Sequence, residues 1–283
     1  MNRIALVTGA TRNLGLELVR GIAERWEPGD IVYLTGRDPA RVAEAAAALT
    51  AARPEARAAI HAEPLDVADR AAVDHLARAI ADRHGGIDVV LSNHYTRVMP
   101  DDDPAAVIDH YVAVNNLGTT HVLRAFAPRV RDGGRLLVVA SSAGTLRVLA
   151  PVLHPQFDGL TSLDAVDAAV CAWRDAVRDR RAPGQAWPAW INLPSKVGQV
   201  AAVRALAHQR RASDLARGIT IAALCPGLID TGASRPWLDM TRAQTPAQAA
   251  RAVLDTILAP EIDPAFYGEL VRFGKILAWK PAA

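Results

Sequence analysis

Cysteine is nearly absent from this 283-residue chain, which has only Cys171 and Cys225, far apart in sequence. A disulfide framework and a thiolate zinc site are both excluded on that count. Charge of one sign is lacking too. The 32 Lys and Arg against 30 Asp and Glu leave a formal +2, too little for an electrostatic nucleic-acid footprint. No apolar run reaches the roughly 20 residues that span a membrane. No set of His, Cys and carboxylates has metal-ligand spacing, and no repeat of 20–50 residues is visible. Lysine is confined to Lys196, Lys275 and Lys280, and tyrosine to Tyr33, Tyr95, Tyr111 and Tyr267. The 51% hydrophobic and 22% charged residues fit an ordinary globular domain. Ile4–Val7 reads as a buried strand and not as part of a signal peptide, so a cytoplasmic protein is expected.

Strand and helix patterns alternate along the chain. Apolar runs at Ile4–Val7, Ile31–Leu34, Ala58–Pro64, Asp88–Leu91, Leu136–Ala140 and Ile219–Leu224 read as strands. Helical patterns cover Leu14–Arg25, Arg41–Ala52, Ala71–His84, Ala105–Val130, Leu163–Arg178 and Val197–Ala212. The alanine-rich stretch Ala40–Ala59 reads as a surface helix and not a linker. Short uninterrupted Val/Ile/Leu runs between helices predict a Rossmann-type, doubly wound parallel α/β sheet over residues 1–283 as one domain. Such a sheet binds ligands beyond the carboxyl ends of its strands. Residues 147–191 break the rhythm with a helix flanked by prolines and glycines. They read as an insertion placed where a lid or substrate wall could sit.

The first strand runs into Thr8-Gly9-Ala10-Thr11-Arg12-Asn13-Leu14-Gly15. A glycine-bearing turn into a helix exposes backbone N–H groups, and the helix dipole favours phosphate there. Asn13 stands where a third glycine is usual, and asparagine tolerates a left-handed backbone. The loop resembles the Thr-Gly-x-x-x-Gly-x-Gly signature of the short-chain dehydrogenase/reductase family. Further motifs follow in family order: Leu65-Asp66-Val67, Asp88–Asn93, Asn115–Thr119, Gly134–Ser142 and Cys225-Pro226-Gly227. Arg37-Asp38 after the second strand, the insertion, Trp187-Pro188, Tyr267-Gly268-Glu269 and Trp279 resemble the carbonyl-reductase branch. That resemblance implies a monomer, the insertion covering the face through which other members associate. It places the cofactor on Gly9, Thr11, Arg12, Asn13, Leu14, Gly15, Arg37, Asp66, Val67, Asn93, Lys196, Pro226 and Gly227. Arg12 and Arg37 suit a 2′-phosphate, which points to NADP(H) and not NAD.

The resemblance also implies a catalytic set: a serine at Ser141, a lysine at Lys196, an asparagine at Asn115, and a tyrosine four residues before the lysine. Asn192 stands in that last place. Its amide donates hydrogen bonds but does not ionise near neutral pH, and general acid catalysis is worth typically 10²–10⁴-fold. Three readings remain open. One is NADPH-dependent hydride transfer to an activated small molecule, a conjugated enone or an iminium ion, whose polar atom needs only hydrogen bonds from Ser141 and Asn192. Reductases of the same branch that act on conjugated double bonds also lack the tyrosine. The second is non-redox cyclisation or isomerisation, and the third a non-catalytic NADP(H)-binding module. The bulky pair His94 and Tyr95 replaces small residues in the fourth-strand loop; either residue packs beneath the loop or supplies the missing acid. His154 and the tryptophans Trp173, Trp187 and Trp190 are weaker candidates for the substrate wall. Asp101–Asp103 reads as a solvated helix start.

Overall fold

Buried runs of Val, Ile and Leu pair side by side because the central strands are apolar on both faces, whereas the edge strand at residues 59–64 has no buried residue. In this computed structural model, which describes residues 2–52 and 58–281, those runs become β1 (Ile4–Val7), β2 (Ile31–Gly36), β3 (Ala59–Pro64), β4 (Ile87–Ser92), β5 (Val130–Val139) and β6 (Thr220–Leu224). The helices between them are α1 (Asn13–Arg25), α2 (Pro39–Ala52), α3 (Arg70–His84), α4 (Pro104–Val112), α5 (Gly118–Phe126), α6 (Leu163–Arg178) and α7 (Asn192–Ala216). The helical pattern in Ala40–Ala59 ends at Ala52; its residues 53–57 lie outside the described set.

Strand order is β3-β2-β1-β4-β5-β6, extended by β7 (Leu270–Arg272) and β8 (Lys275–Leu277). All neighbours are parallel except the β7–β8 pair. Alternation along β1 splits the core in two. Ile4 and Leu6 join the cluster holding Leu123, Phe126, Val197 and Trp173. Ala5 and Val7 join that of Leu18, Ile22, Val42 and Leu254. The doubly wound sheet expected from the sequence is thus present, with helices on both faces.

Four parts of the chain differ from the sequence reading. The helix expected over Ala105–Val130 is not continuous. A π-helical turn occupies Ala113–Leu117 between α4 and α5, and α5 ends at Phe126. Pro128 lacks the N–H a further turn needs, so a short 3₁₀ segment follows. The fifth strand starts at Val130, six residues early, and its register against β4 shifts between Ile87 and Val89. Finally, α8 (Pro246–Ile257) and the β7–β8 hairpin carry no strong apolar run. The first is announced by Thr245 and Gln248, which form a reciprocal capping box.

The insertion is packed, not draped. Ser162 caps α6 by accepting from the Ala165 N–H at 3.1 Å. Leu163, Val166, Val170 and Trp173 point into the core. Trp173 is fully buried, 6.1 Å from the ring of Trp187, and Phe157 meets Trp187 edge-on at 6.2 Å. These two tryptophans therefore anchor the insertion and do not wall a pocket. Trp173→Ala should cost about 3–5 kcal/mol of stability, as large aromatic truncations in closed cores do. Urea unfolding measures this, and a loss below about 1 kcal/mol would mean the insertion contributes little to the core.

Candidate active site

At the carboxyl end of β1 the chain must turn tightly into α1. Gly9 has φ +62° and Asn13 φ +49°, so the asparagine takes the left-handed place that the loop needs. Close packing explains the glycines: a Cβ on Gly15 would lie 2.5 Å from both Asn93 Nδ2 and the Gly9 oxygen. A Cβ on Gly9 would lie 2.6 Å from His94 Cα. Asn93 ties the first and fourth strand ends together, its Nδ2 donating to the carbonyls of Thr8 (3.0 Å) and Gly9 (3.2 Å). No side chain caps the start of α1, and an uncapped helix start offers N–H groups that suit an anion. Thr11 packs against Gly36: a Cβ there would lie 2.8 Å from Thr11 Cγ2. Arg12 and Arg37 are exposed at the ends of β1 and β2. Arg37 contacts only a histidine, His110, at 3.5 Å; neither arginine has an ion pair among the described residues. Leu14 and Val67 are buried, while Asp66 is exposed and its Oδ1 accepts from the Ala68 N–H. After β6, Pro226 is buried and Gly227 turns at φ +86° under Gln244, whose Nε2 donates to the Pro226 carbonyl at 3.2 Å.

The residues expected to do chemistry lie at the start of α7, in the π-helical turn and in the loops after β4 and β5. Asn192 opens α7, and its Oδ1 accepts from Tyr111 Oη at 3.0 Å and from Tyr95 Oη at 3.4 Å. The two phenol rings meet edge-on, 6.3 Å apart. With Oδ1 occupied twice, Asn192 has Nδ2 left to offer a ligand. Burial pushes the Tyr111 phenol well above its ordinary range, and Tyr95 adds to this. Burial also raises Tyr95, partly offset by the neighbouring Tyr111 phenol. Lys196, one turn along, is 9% exposed. Its Nζ donates to Gln199 Oε1 at 2.7 Å and sits 5.2 Å from the Tyr95 ring. Burial pulls Lys196 down to about 8, against a small favourable contribution from Cys225. Ser141 follows β5, half-buried, its Oγ accepting from the Ala143 N–H.

The fourth-strand loop resolves the His94/Tyr95 alternatives. Tyr95 faces Asn192 and Lys196, whereas His94 is buried on Thr8. Thr8 Oγ1 accepts from the N–H groups of Asn93 (2.9 Å) and His94 (3.2 Å). Thr8 Oγ1 and His94 Nδ1 share a hydrogen bond at 2.9 Å, and the other ring nitrogen, Nε2, is buried. A Cβ on Gly118 would come within 3.1 Å of that Nε2, which accounts for the glycine. Desolvation, with the Lys196 charge second, lowers His94 to about 3. Burial therefore favours its neutral form at ordinary pH. Asn115, 1% exposed, spends its side chain on the same loop: Oδ1 accepts from the Thr96 N–H (2.8 Å) and Nδ2 donates to the Thr96 carbonyl (3.0 Å).

Three residues of the site went unnoticed in the sequence. Tyr111 lies four residues before Asn115 and Gln199 three after Lys196, spacings that put each pair on one helix face. Trp237 had no local signal. It stacks on Trp190 (5.0 Å, 20°) and donates from Nε1 to the Val98 carbonyl, linking the segments that follow β4 and β6 to the one before α7. His154 bonds the Leu149 carbonyl inside the insertion, and Asp103 caps α4, as read from sequence. Among the described residues no cluster of His, Cys, Asp and Glu could hold a metal ion, and no helix is long and apolar enough to cross a membrane.

Comparison with known proteins adds the family. The sequence profile for short chain dehydrogenase matches residues 3–152. Carbonyl reductase (NADPH) 3 of Mus musculus is 29% identical over 290 residues, covering 98% of this chain and 99% of the relative. Among solved structures, menthone neomenthol reductase from Mentha piperita superposes with TM-score 0.76 at 20% identity, over 97% of this chain and 100% of its own. NADPH-bound carbonyl reductase from chicken fatty liver does so with TM-score 0.71 at 21% identity, over 98% and 99%.

The buried His94 makes stability depend on acid. Its ordinary value of 6.5 holds in the unfolded chain, so between pH 6.5 and about 3 the unfolded state binds the extra proton. The contribution is fully present above pH 6.5 and is lost as pH falls towards 3. From pH 6.5 to 4.5 the loss is about 2 kcal/mol, at roughly 1.4 kcal/mol per unit. Urea unfolding of His94→Gln should show a correspondingly shallower acid limb than the parent; equal slopes would contradict the neutral assignment.

Proposed function

This chain belongs to the short-chain dehydrogenase family, and we propose that it is an NADP(H)-dependent reductase of an activated small molecule, a conjugated enone or an iminium ion. The observation that carries the reading is Asn192, held by two phenols that are themselves poor acids. Its amide offers Nδ2–H donors and no ionisable proton. Together with the Ser141 hydroxyl it would steady developing negative charge on a substrate oxygen. A saturated ketone also needs a proton at that oxygen. An enone accepts hydride at its β-carbon, and the enolate formed spreads its charge and takes its proton at the α-carbon from water; an iminium ion is neutralised by hydride.

The residues around the β1–α1 turn fit a dinucleotide phosphate. The close approaches at Gly9 and Gly15 clear the backbone for a pyrophosphate, and the uncapped start of α1 supplies N–H donors. Arg12 and Arg37, exposed and free of carboxylate partners among the described residues, would hold a 2′-phosphate. Asp66, Val67 and Asn93 would flank the adenosine half. Lys196, Pro226 and Gly227 would border the nicotinamide half. Bound there, NADPH would supply the hydride. Tyr95 would stay protonated and keep Asn192 oriented. The insertion helix α6 packs over α4, which supports a monomer.

Calorimetric titration should give micromolar binding of NADPH and much weaker binding of NADH. Arg37→Ala should weaken NADPH at least about 10-fold, the worth of one charge-assisted hydrogen bond to phosphate, while leaving NADH unchanged. No binding of either nucleotide would favour a cofactor-free cyclase or isomerase. A panel of conjugated enones should then consume NADPH stoichiometrically, with saturated ketones at least about 10²-fold slower. Asn192→Tyr restores an acid beside Lys196 and should raise ketone reduction towards enone rates. An Asn192→Tyr variant that binds NADPH but gains nothing would count against the active-site assignment.

A further inference from the structure

Lys196 does not stand alone on its helix. Its Nζ donates to Gln199 Oε1 at 2.7 Å, and Gln199 Nε2 donates onward to the Asn115 carbonyl at 2.8 Å and to Thr119 Oγ1 at 3.2 Å. Thr119 Oγ1 in turn donates to the same Asn115 carbonyl at 2.8 Å. That carbonyl sits in the π-helical turn and receives two side-chain donors, so both of its lone pairs are engaged. Gln199 is 2% exposed, Asn115 1% and Thr119 fully buried. The bridge runs from an ammonium through an amide to a backbone oxygen. An amide accepts and donates hydrogen bonds, but it neither takes up nor releases a proton near neutral pH.

We propose that Gln199 is a positioning residue that seats the Lys196 ammonium and closes the Asn115 carbonyl, so that Lys196 acts as a fixed cation and not as a proton carrier through Asn115. This rests on the preceding reading only for the ligand the cation faces. The other groups around Lys196 are few. Tyr95 presents its ring from the β4 loop, His94 on the same loop is neutral, and Cys225 lies at the end of β6. None is a carboxylate. The charge state of Lys196 therefore depends on its one strong acceptor, and replacing that acceptor should move the lysine in a direction set by the replacement.

The chain's three lysines make this measurable. Protein labelled with ¹³C at lysine should give three Cε signals, and Lys275 and Lys280, both exposed, serve as internal controls. In the cofactor-free protein Lys196 should titrate well below the ordinary lysine value of 10.5. Gln199→Glu, which supplies an anion of the same shape, should raise the Lys196 midpoint by a unit or more. Gln199→Met, which keeps the length and removes the acceptor, should lower it. A role confined to packing would not shift the two variants in opposite directions. Midpoints unchanged in both variants, or moved the same way, would overturn the proposal. If Gln199→Met does not fold, the Gln199→Glu shift decides alone. In a second arm, Gln199→Met should weaken NADPH several-fold at pH 6.5, where Lys196 is still charged in the parent. Parent protein that fails to bind NADPH would overturn the cofactor reading, while the titration, done without nucleotide, still decides the role of Gln199.

Discussion

An ammonium 9% exposed to solvent is the constraint around which this site is arranged. Burying a charge is expensive unless hydrogen bonds replace the lost water. Among the described residues no carboxylate answers Lys196. The compensation comes instead from the Gln199 amide, from the face of Tyr95, and from the polar frame of Asn115 and Thr119 behind them. Each of these is itself satisfied, and a fully satisfied buried network is a rigid one. The π-helical turn at Ala113–Leu117 belongs to the same solution. It widens the helix where Asn115 reaches out to the Thr96 backbone and Asn116 reaches across to Ser195.

The second feature is a substitution of kinds of hydrogen bond. Where the family resemblance places a tyrosine, this chain has Asn192, and where it places small residues it has His94 and Tyr95. The structure shows that these changes are spatially coupled. Tyr95 and Tyr111 both donate to Asn192, so the phenols moved from the α7 position to its flanks, where burial makes them weaker acids. His94 went the other way, into the wall between Thr8 and Gly118. The pocket that results is rich in hydrogen-bond donors and poor in acids. The proposed substrates, whose charge change is handled by conjugation or is present before reaction, would ask for donors of this kind and not for an acid.

Most of the fold was legible because its central strands are short, apolar on both faces and separated by helix-period patterns. The six strands and the layered architecture follow from that, as does the left-handed Asn13 in the first turn. The misses share one cause. The break in the helix at Ala113, the early start of β5 and the β7–β8 hairpin are set by what packs against them, not by their own residues. Pro128 marked one of these boundaries, and the Thr245–Gln248 cap marked α8, whose buried face is Ala249, Ala250, Val253, Leu254 and Ile257.

For the site the division is similar. The sequence alone determined the glycine-bearing turn after β1, the two arginines that follow β1 and β2, and an asparagine four residues before Lys196, because those depend on residue type at local spacing. Only the tertiary structure decided which of His94 and Tyr95 faces Asn192, that Tyr111 and Gln199 belong to the site, and that Trp237 meets Trp190. Those choices join elements far apart in the chain, and they follow from burial: a polar group shut away from water must find its partner in whatever neighbour the fold brings to it.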